Sequence, residues 1–184
     1  MEILEIKDLE TLAKKRVPKM FFDYVNSGSW TETTYNENVS DFQKIKLRQR
    51  VAIDMSNRTL ETKMINQPVS MPVAIAPTGL TGMQRADGEI LAAQAAEEFG
   101  IPYTLSTMSV CSIEAVAEKT KKPFWFQLYV MKDKKFMERL IDRAKEAKCS
   151  ALVLTLDLQL LGQRHKDLRN GLSTPPVSYT HLTL

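Results

Sequence analysis

The chain has 184 residues, of which 43% are hydrophobic and 26% are charged, and its formal net charge is +3. This composition can bury a core and excludes a disordered chain, and so small a charge does not indicate nucleic-acid binding. Two distant cysteines and only two histidines lack the spacing of a zinc site, so no metal is expected. No apolar run approaches the ~18 residues of a membrane-spanning helix, and the charged start is unlike a signal peptide. We therefore expect a cytoplasmic protein, or one peripheral to the inner face of the membrane.

The first part of the chain predicts helices rather than a repeat of strands. Asp8 can cap a first helix, and spaced apolar residues predict a second helix around residues 20–25. Residues 36–45 predict a further helix, and residues 47–55 an irregular segment or an edge strand. We predict that residues 1–65 form a helical extension packed on the main domain.

From residue 72 onward, a short apolar run is followed by polar residues and then by a helical pattern, four times over. The runs are 72–76 before Pro77, Thr78 and Gly79, 103–105 before Ser106 and Thr107, 124–126 before Gln127 and Tyr129, and 151–154 before Thr155 and Asp157. Helices are predicted after Asp87, Ser112 and Asp133, and Gly100 ends the first of them. Such βαβ units build a parallel sheet with polar groups at the carboxyl ends of its strands.

Both an open doubly wound sheet and a closed barrel use βαβ units. The doubly wound fold usually has a G-x-G-x-x-G turn after its first strand, and the two glycines of residues 77–83 lack that spacing. Because every strand ends in polar groups, a (β/α)8 TIM barrel fits better, although such a barrel typically has about 250 residues. We predict an α/β fold in which residues 66–176 form a partial barrel of about four βα units. Residues 177–184 continue neither pattern and are interpreted as a non-native tail.

Five short motifs occur in order along the chain. They are Pro18-Lys19-Met20 with Asp23-Tyr24, Ala76-Pro77-Thr78-Gly79, Leu105-Ser106-Thr107, Phe126-Gln127-Leu128-Tyr129, and Thr155-Leu156-Asp157 followed by Gly162-Gln163-Arg164. In these motifs the chain resembles the N-terminal half of the FMN-dependent enzymes that oxidise 2-hydroxy acids. This is the family of glycolate oxidase, lactate oxidase and flavin L-lactate dehydrogenase. The resemblance extends from about residue 3 to about residue 176.

A flavin ring needs a flat slot with hydrogen-bond donors and acceptors around its polar edge. The hydroxyl and amide groups that follow the predicted strands suit that edge, and a turn with glycine lets the backbone approach the ring. The resemblance implies that six residues bind FMN: Pro77, Thr78, Gly79, Ser106, Gln127 and Thr155. Taken one by one, the polar residues of this set are more often helix caps or partners of buried backbone groups.

The resemblance also implies that Tyr24, Tyr129 and Arg164 bind the 2-hydroxy acid, since phenols and a guanidinium can bind its carboxylate or hydroxyl. Alone, Tyr24 would be interpreted as a core aromatic residue and Arg164 as a surface residue. The family's catalytic histidine and carboxylate-binding arginine are expected beyond the end of this sequence, so no catalytic residue is assigned. His165 is interpreted as structural or exposed. Asp157 is a candidate for orienting the absent base.

The implied activity is FMN-dependent oxidation of an L-2-hydroxy acid, foremost L-lactate, to the 2-oxo acid, by hydride transfer to flavin N5. A quinone, a cytochrome or oxygen would accept the electrons, and the full-length protein is expected to be a homo-oligomer. Without the base, the chain itself is predicted to be inactive, and its open strand edges predict self-association. Two alternatives stay open: another FMN-dependent barrel enzyme, such as an isomerase or a nucleotide dehydrogenase, and a non-catalytic fragment.

Overall fold

A computed structural model of the chain describes residues 2–157 and 160–172. The described residues form two compact units, residues 2–58 with 160–172 and residues 59–157. The interpretation of residues 177–184 as a non-native tail falls outside the described residues. The domain boundaries near residues 65 and 176 stay predictions.

Helices and strands alternate regularly between residues 88 and 155, as the sequence pattern predicts. The helices are α1 (Ile6–Arg16), α2 (Lys19–Val25), α3 (Thr33–Ser40) with a 3-10 turn (Asp41–Lys44), α4 (Thr81–Gln84), α5 (Gly88–Phe99), α6 (Ile113–Lys119), α7 (Lys134–Glu146) and α8 (His165–Arg169). The strands are β1 (Thr62–Met64), β2 (Gln67–Val69), β3 (Thr104–Leu105), β4 (Trp125–Tyr129) and β5 (Ala151–Thr155). None of the helices in the described part of the chain is long and apolar enough to cross a bilayer.

The first unit is helical, and the prediction for the start of α1 needs a correction. Glu5 is the N-cap residue, and the carboxylate of Asp8 accepts hydrogen bonds from the N–H groups of Leu4 and Glu5 at 2.9 and 3.1 Å. Asp8 is therefore the third helical residue of a capping box and not the cap itself. The helix predicted over residues 36–45 is confirmed as α3 and the 3-10 turn, and residues 47–55 are irregular.

The second unit contains a parallel sheet whose strand order is β3-β4-β5. In the register, Phe126 of β4 pairs with Leu105 of β3 and with Leu152 of β5. The first predicted run forms a single parallel bridge, between Ile75 and Tyr103, rather than a full strand. The four runs therefore lie side by side in chain order. An antiparallel pair that the sequence pattern did not predict, β1 with β2, precedes them.

Local side-chain bonds fix the helix ends of the second unit. Ser112 Oγ accepts a hydrogen bond from the N–H of Ala115 at 3.1 Å, and Asp133 Oδ1 accepts one from the N–H of Phe136 at 3.0 Å. Both are the N-caps that the sequence predicts. Gly100 ends α5 with a φ of 73°, a left-handed conformation that glycine adopts without steric penalty.

The core of the second unit lies between the sheet and its helices. Its buried members include Leu105, Phe126 and Leu128 from the strands, and Ala93, Ala96, Val116, Leu140 and Ala144 from the helices. Burying one large apolar side chain of this kind contributes roughly 1.5–3 kcal/mol. Phe126 and Leu128 of β4 face the helices. Because side chains alternate along a strand, Trp125, Gln127 and Tyr129 lie on the other face of β4.

Candidate functional site

Gln127 lies in the middle of β4, on the face opposite the helix-facing core residues. The sequence pattern predicts that this strand ends before Gln127. Instead β4 continues to Tyr129, because its pairing with β5 extends as far as Thr155. Gln127 is consequently only 1% exposed, and its carboxamide must find its hydrogen-bond partners inside the protein.

A chain of hydrogen bonds through the Gln127 carboxamide connects the ends of three strands. Gln127 Nε2 donates to Thr155 Oγ1 at 2.8 Å. Gln127 Oε1 accepts from the N–H of Thr107 at 3.1 Å and from Ser106 Oγ at 3.3 Å. Thr107 Oγ1 donates in turn to the Gln127 carbonyl at 2.5 Å. Three residues predicted to bind the cofactor, Ser106 after β3, Gln127 in β4 and Thr155 in β5, are thus connected through the Gln127 carboxamide.

The turn at residues 77–79 joins this network through the backbone. The N–H of Leu80 donates to the carbonyl of Met108 at 2.8 Å, and the N–H of Met108 donates to Ser106 Oγ at 3.0 Å. Within the turn itself, Thr81 Oγ1 donates to the carbonyl of Thr78 at 3.1 Å. Thr78, Ser106, Gln127 and Thr155 therefore lie in one hydrogen-bonded region of the second unit, and Pro77 and Gly79 flank Thr78 in the turn.

The donor and acceptor groups of this region fit the polar edge of a flavin. Exposure increases from the buried pair Ser106 and Gln127 to the half-buried Thr155 and Gly79 and the exposed Thr78. A hydroxyl that accepts one hydrogen bond can still donate another, and an amide nitrogen carries two hydrogens. The outer end of the network can therefore serve the carbonyl oxygens and the ring N–H along the pyrimidine edge of the flavin.

A buried carboxylate that the sequence pattern does not single out lies behind these loops. Glu89, in the first turn of α5, is fully buried, and its Oε1 accepts hydrogen bonds from the N–H groups of Gly82 and Val110, both at 3.0 Å. Burial alone would raise the pKa of Glu89, but the backbone hydrogen bonds, first that of Val110, bring the pKa below its ordinary value. In the sequence, an acidic residue here looks like an ordinary member of a helix's first turn.

In the first unit, the structure brings Arg164 and Tyr24 together. Arg164 Cζ lies 4.6 Å from the centroid of the Tyr24 ring, and the guanidinium donates to the Tyr24 carbonyl and, at 3.3 Å, to Ser27 Oγ. Arg164 Nε also donates to Asp167 Oδ2 at 2.6 Å. The Asp167 side chain is only 6% exposed. A buried carboxylate thus holds the guanidinium over the Tyr24 ring.

A second carboxylate fastens α2, which carries Tyr24, to the segment after α8. Asp23 Oδ2 accepts hydrogen bonds from Lys19 Nζ at 2.5 Å and from Asn170 Nδ2 at 2.8 Å. The hydrogen bond from Lys19, and then that from Asn170, lower the pKa of Asp23.

Asp167 is not singled out by the sequence pattern. The signal that could have found it is its position three residues after Arg164, because residues spaced by three face each other along a helix.

The other residues singled out in the sequence have simpler surroundings. Tyr129 ends β4 in the second unit and is half-buried, and Asp157 follows β5 and is exposed. His165 Nε2 lies 3.1 Å from Gln163 Oε1, and its ring meets that of Trp30 edge-on with the centroids 6.2 Å apart. Within residues 2–157 and 160–172, no group of histidine, cysteine and acidic side chains could hold a metal ion.

Comparison with known proteins decides the family. The sequence profile of the family described as FMN-dependent dehydrogenase matches residues 13–183. The chain belongs to this family. An L-lactate dehydrogenase of Acinetobacter baylyi is 49% identical over 175 residues, which cover 95% of this chain and 46% of that protein. An L-lactate dehydrogenase of Acinetobacter baumannii is 50% identical over 168 residues, which cover 91% of this chain and 44% of the relative. The chain thus spans about half the length of the curated relatives it matches.

Solved structures of this family confirm the fold. A soluble mutant of the membrane-associated (S)-mandelate dehydrogenase from Pseudomonas putida matches with a TM-score of 0.89 and 34% identity, over 97% of this chain and 51% of that chain. The predicted α/β fold, a partial (β/α)8 barrel after a helical segment, is confirmed, as is the predicted membership of the FMN-dependent 2-hydroxy-acid dehydrogenases. FMN is the cofactor of this family. The roles of the individual site residues stay predictions.

Proposed function

We propose that the protein containing this chain oxidises an L-2-hydroxy acid to the 2-oxo acid with FMN, and that L-lactate is its substrate. The observation that carries the proposal is the hydrogen-bond network in which Gln127 of β4 connects Ser106, after β3, with Thr155 of β5. L-lactate is favoured because the relatives named L-lactate dehydrogenase are 49–50% identical, against 34% for the mandelate dehydrogenase. Titration of the flavin with hydroxy acids tests both parts of this proposal.

The residues proposed to bind the cofactor differ in exposure, and the exposed and buried ones have different roles. When bound, FMN supplies the acceptor for the hydrogen that leaves the substrate carbon as hydride. Thr78 and Gly79, with Pro77, offer backbone groups from the first turn, and Thr155 offers a hydroxyl. Ser106 and Gln127 hold this hydroxyl and the 106–108 backbone in place through the bonds described above, and the second amide hydrogen of Gln127 is a further donor.

The substrate residues proposed are Tyr24 with Arg164, and Tyr129. A guanidinium is a planar cation with several N–H donors, which match the two oxygens of a carboxylate. Asp167 fixes the orientation of the Arg164 guanidinium. A substrate carboxylate therefore meets a guanidinium that is already in place and does not have to order a mobile side chain. We infer that the catalytic base is not supplied by this chain and that the chain alone is inactive.

The experiment compares the chain alone with a chimera in which it is joined to the remaining half of the Acinetobacter baylyi L-lactate dehydrogenase. With excess FMN, the chimera is expected to turn yellow and to lose its visible flavin absorption when L-lactate is added without oxygen. The parental relative is the positive control, and D-lactate is the negative control. The chain alone is expected to show no bleaching.

Each outcome tests a different part of the proposal. A chimera that stays colourless contradicts the FMN site. A yellow chimera that no hydroxy acid bleaches contradicts the oxidation and favours another FMN-dependent reaction. Bleaching by glycolate or mandelate but not by L-lactate keeps the reaction and contradicts the substrate.

We also propose that the electrons pass to a quinone, a cytochrome or oxygen, and that the whole protein is a homo-oligomer that can associate peripherally with a membrane. The last point is supported by the membrane-associated mandelate dehydrogenase, which is similar over nearly all of this chain. Reoxidation of the reduced chimera by oxygen, a short-chain quinone or cytochrome c, each tested separately, distinguishes the acceptors. Release from membranes by a salt wash is the expected sign of peripheral association.

A further inference from the structure

Glu89 is a buried carboxylate that none of the proposed chemistry uses. It is fully buried, and none of the ion pairs formed by the described residues includes it. An interior carboxylate without a cationic partner is unfavourable unless hydrogen bonds replace its lost hydration. The groups that donate these bonds therefore indicate why the residue is tolerated at this position.

Both donors belong to the two βα loops that carry the predicted flavin residues. The first loop includes the short helix α4, in which Gly82 lies, and the second loop, which contains Val110, follows β3. Their N–H groups donate to the same oxygen, Oε1 of Glu89, at 3.0 Å each. The bond from the N–H of Leu80 to the carbonyl of Met108 joins the same two segments. One carboxylate oxygen thus connects the turn at residues 77–79 with the segment that begins at Ser106.

The packing around Glu89 is too close for the spacing of these loops to change freely. A Cβ added to Gly82 would lie 2.6 Å from the Cβ of Val110, and one added to Gly88 would lie 2.9 Å from the carbonyl oxygen of Thr81. Real Cβ atoms do not approach other atoms so closely, so glycine is required at both positions. The two loops and the start of α5 therefore form one tightly packed region.

The Cys111 thiol lies in the same packed region, beside Glu89. Burial, and then the neighbouring Glu89 carboxylate, raise the pKa of Cys111. The raised pKa favours the neutral thiol, which adds no second negative charge beside the carboxylate. Both backbone N–H groups bind Oε1 of Glu89, whereas its buried Oε2 has no hydrogen-bond partner among the described residues.

We propose that Glu89 is a positioning residue of the flavin site, which sets the spacing between the turn at residues 77–79 and Ser106 by binding the backbone of both loops. The inference rests on the proposed FMN site. Glu89 acts through these loops and does not itself touch the flavin. Its removal should weaken FMN binding even where the protein remains folded.

The test uses two substitutions at Glu89 in the chimera. Glu89→Ala removes the acceptor, whereas Glu89→Gln keeps a carbonyl oxygen that can accept from both N–H groups. We expect Glu89→Ala to raise the dissociation constant of FMN about tenfold, because two hydrogen bonds to a charged group are lost. Glu89→Gln is expected to stay within about threefold of the unchanged protein and to preserve the visible circular dichroism of the bound flavin.

A matched control separates positioning from general loss of stability. Val116→Ala shortens another fully buried side chain of the second unit, a core residue of α6 that makes none of the hydrogen bonds to Glu89. It is expected to lower the melting temperature and leave the dissociation constant of FMN unchanged. FMN binding is measured by quenching of flavin fluorescence, at a temperature well below the melting temperature of every variant.

Gly82→Ala provides a second test in which Glu89 is intact, since the added Cβ forces the two loops apart. We expect it to weaken FMN binding as Glu89→Ala does. The inference is overturned if folded Glu89→Ala binds FMN as tightly as the unchanged chimera, or if Glu89→Gln weakens binding as much as Glu89→Ala. If Glu89→Ala does not fold, unchanged FMN affinity in Gly82→Ala overturns it. Failure of the proposed function is recognised separately, because the unchanged chimera itself would then bind no FMN.

Discussion

At the scale of single residues, the site is defined by polar side chains that are buried because their partners are buried with them. The Gln127 carboxamide has a hydrogen-bond partner at its oxygen and at its nitrogen, although the residue is only 1% exposed. A buried amide is tolerated where such bonds are made and costly where one is missing. Asp167 is satisfied only in part: its Oδ2 accepts from Arg164 Nε at 2.6 Å, whereas its buried Oδ1 has no hydrogen-bond partner among the described residues.

Gln127→Leu is expected to destabilise the second unit. The substitution leaves the N–H of Thr107 and the hydroxyls of Ser106 and Thr155 without their partner, at a cost of about 1–3 kcal/mol for each group that stays buried and unpaired. Urea unfolding of the chimera measures the change in the free energy of unfolding. Gln94→Leu is the control, since Gln94 is exposed and its Nε2 makes one bond, to the Lys119 carbonyl at 3.0 Å. Equal losses in both variants would contradict the role of the network.

Asp167→Asn is expected to raise the KM for L-lactate about tenfold with a smaller change in kcat, because a neutral amide holds the Arg164 guanidinium less firmly. Steady-state kinetics of the chimera measure the two constants. The matched control is Asp142→Asn, which removes an exposed carboxylate that pairs with Lys145 at 3.6 Å. An unchanged KM in folded Asp167→Asn would show that the pair does not position Arg164 for substrate.

At the scale of whole elements, α6 and α7 are joined by one bidentate ion pair. Arg143 Nε and Nη2 donate to the two carboxylate oxygens of Glu114 at 2.6 and 2.7 Å. These hydrogen bonds lower the pKa of Glu114 from 4.5 to about 2. Because about half of each side chain is exposed, solvent screens the pair and its contribution to stability is below about 1 kcal/mol.

This pair predicts a pH dependence of stability with a defined sign. The folded pKa of Glu114 lies below its ordinary value, so the stabilisation is complete above about pH 4.5 and is lost as the pH falls towards 2. The difference in urea midpoint between the unchanged protein and Glu114→Gln should be largest at neutral pH and disappear near pH 2. Glu118→Gln, an exposed position on the same helix, is the control. A difference independent of pH would contradict this role of the ion pair.

At the scale of the molecule, the described sheet ends at β5. In the described sheet, β5 is paired only with β4, and its side chains Leu152 and Leu154 are 47% and 48% exposed. An unpaired strand edge with apolar side chains is a template for pairing with another chain. This edge supports the expectation that the chain alone associates with itself.

Leu154→Lys is expected to reduce that self-association, because a charge on the edge strand is costly to bury against a second chain. Light scattering of the chain alone, measured over a range of concentrations, gives the average mass. Leu168→Lys is the control, since Leu168 is an exposed leucine of α8 in the first unit. The prediction is contradicted if the unchanged chain is a monomer with sharp near-ultraviolet circular dichroism.

The sequence by itself determined the features that depend on neighbouring residues. The N-caps Ser112 and Asp133, the left-handed Gly100 and the order of the four apolar runs were predicted correctly, because capping and periodicity act over a few residues. The motifs around Thr78, Ser106, Gln127 and Thr155 identified the family for the same reason. Asp8 was misplaced by three positions, since a capping box has a polar residue at both ends.

Only the tertiary structure decided which polar residues are buried together. Gln127 lies within β4 because pairing with β5 lengthens the strand, and its partner Thr155 is 28 residues away. Glu89 accepts a bond from Val110, 21 residues further along the chain, and the Arg164 guanidinium lies over Tyr24, 140 residues before it. Hydrogen bonds and burial depend on distance in space, which a local sequence pattern does not contain.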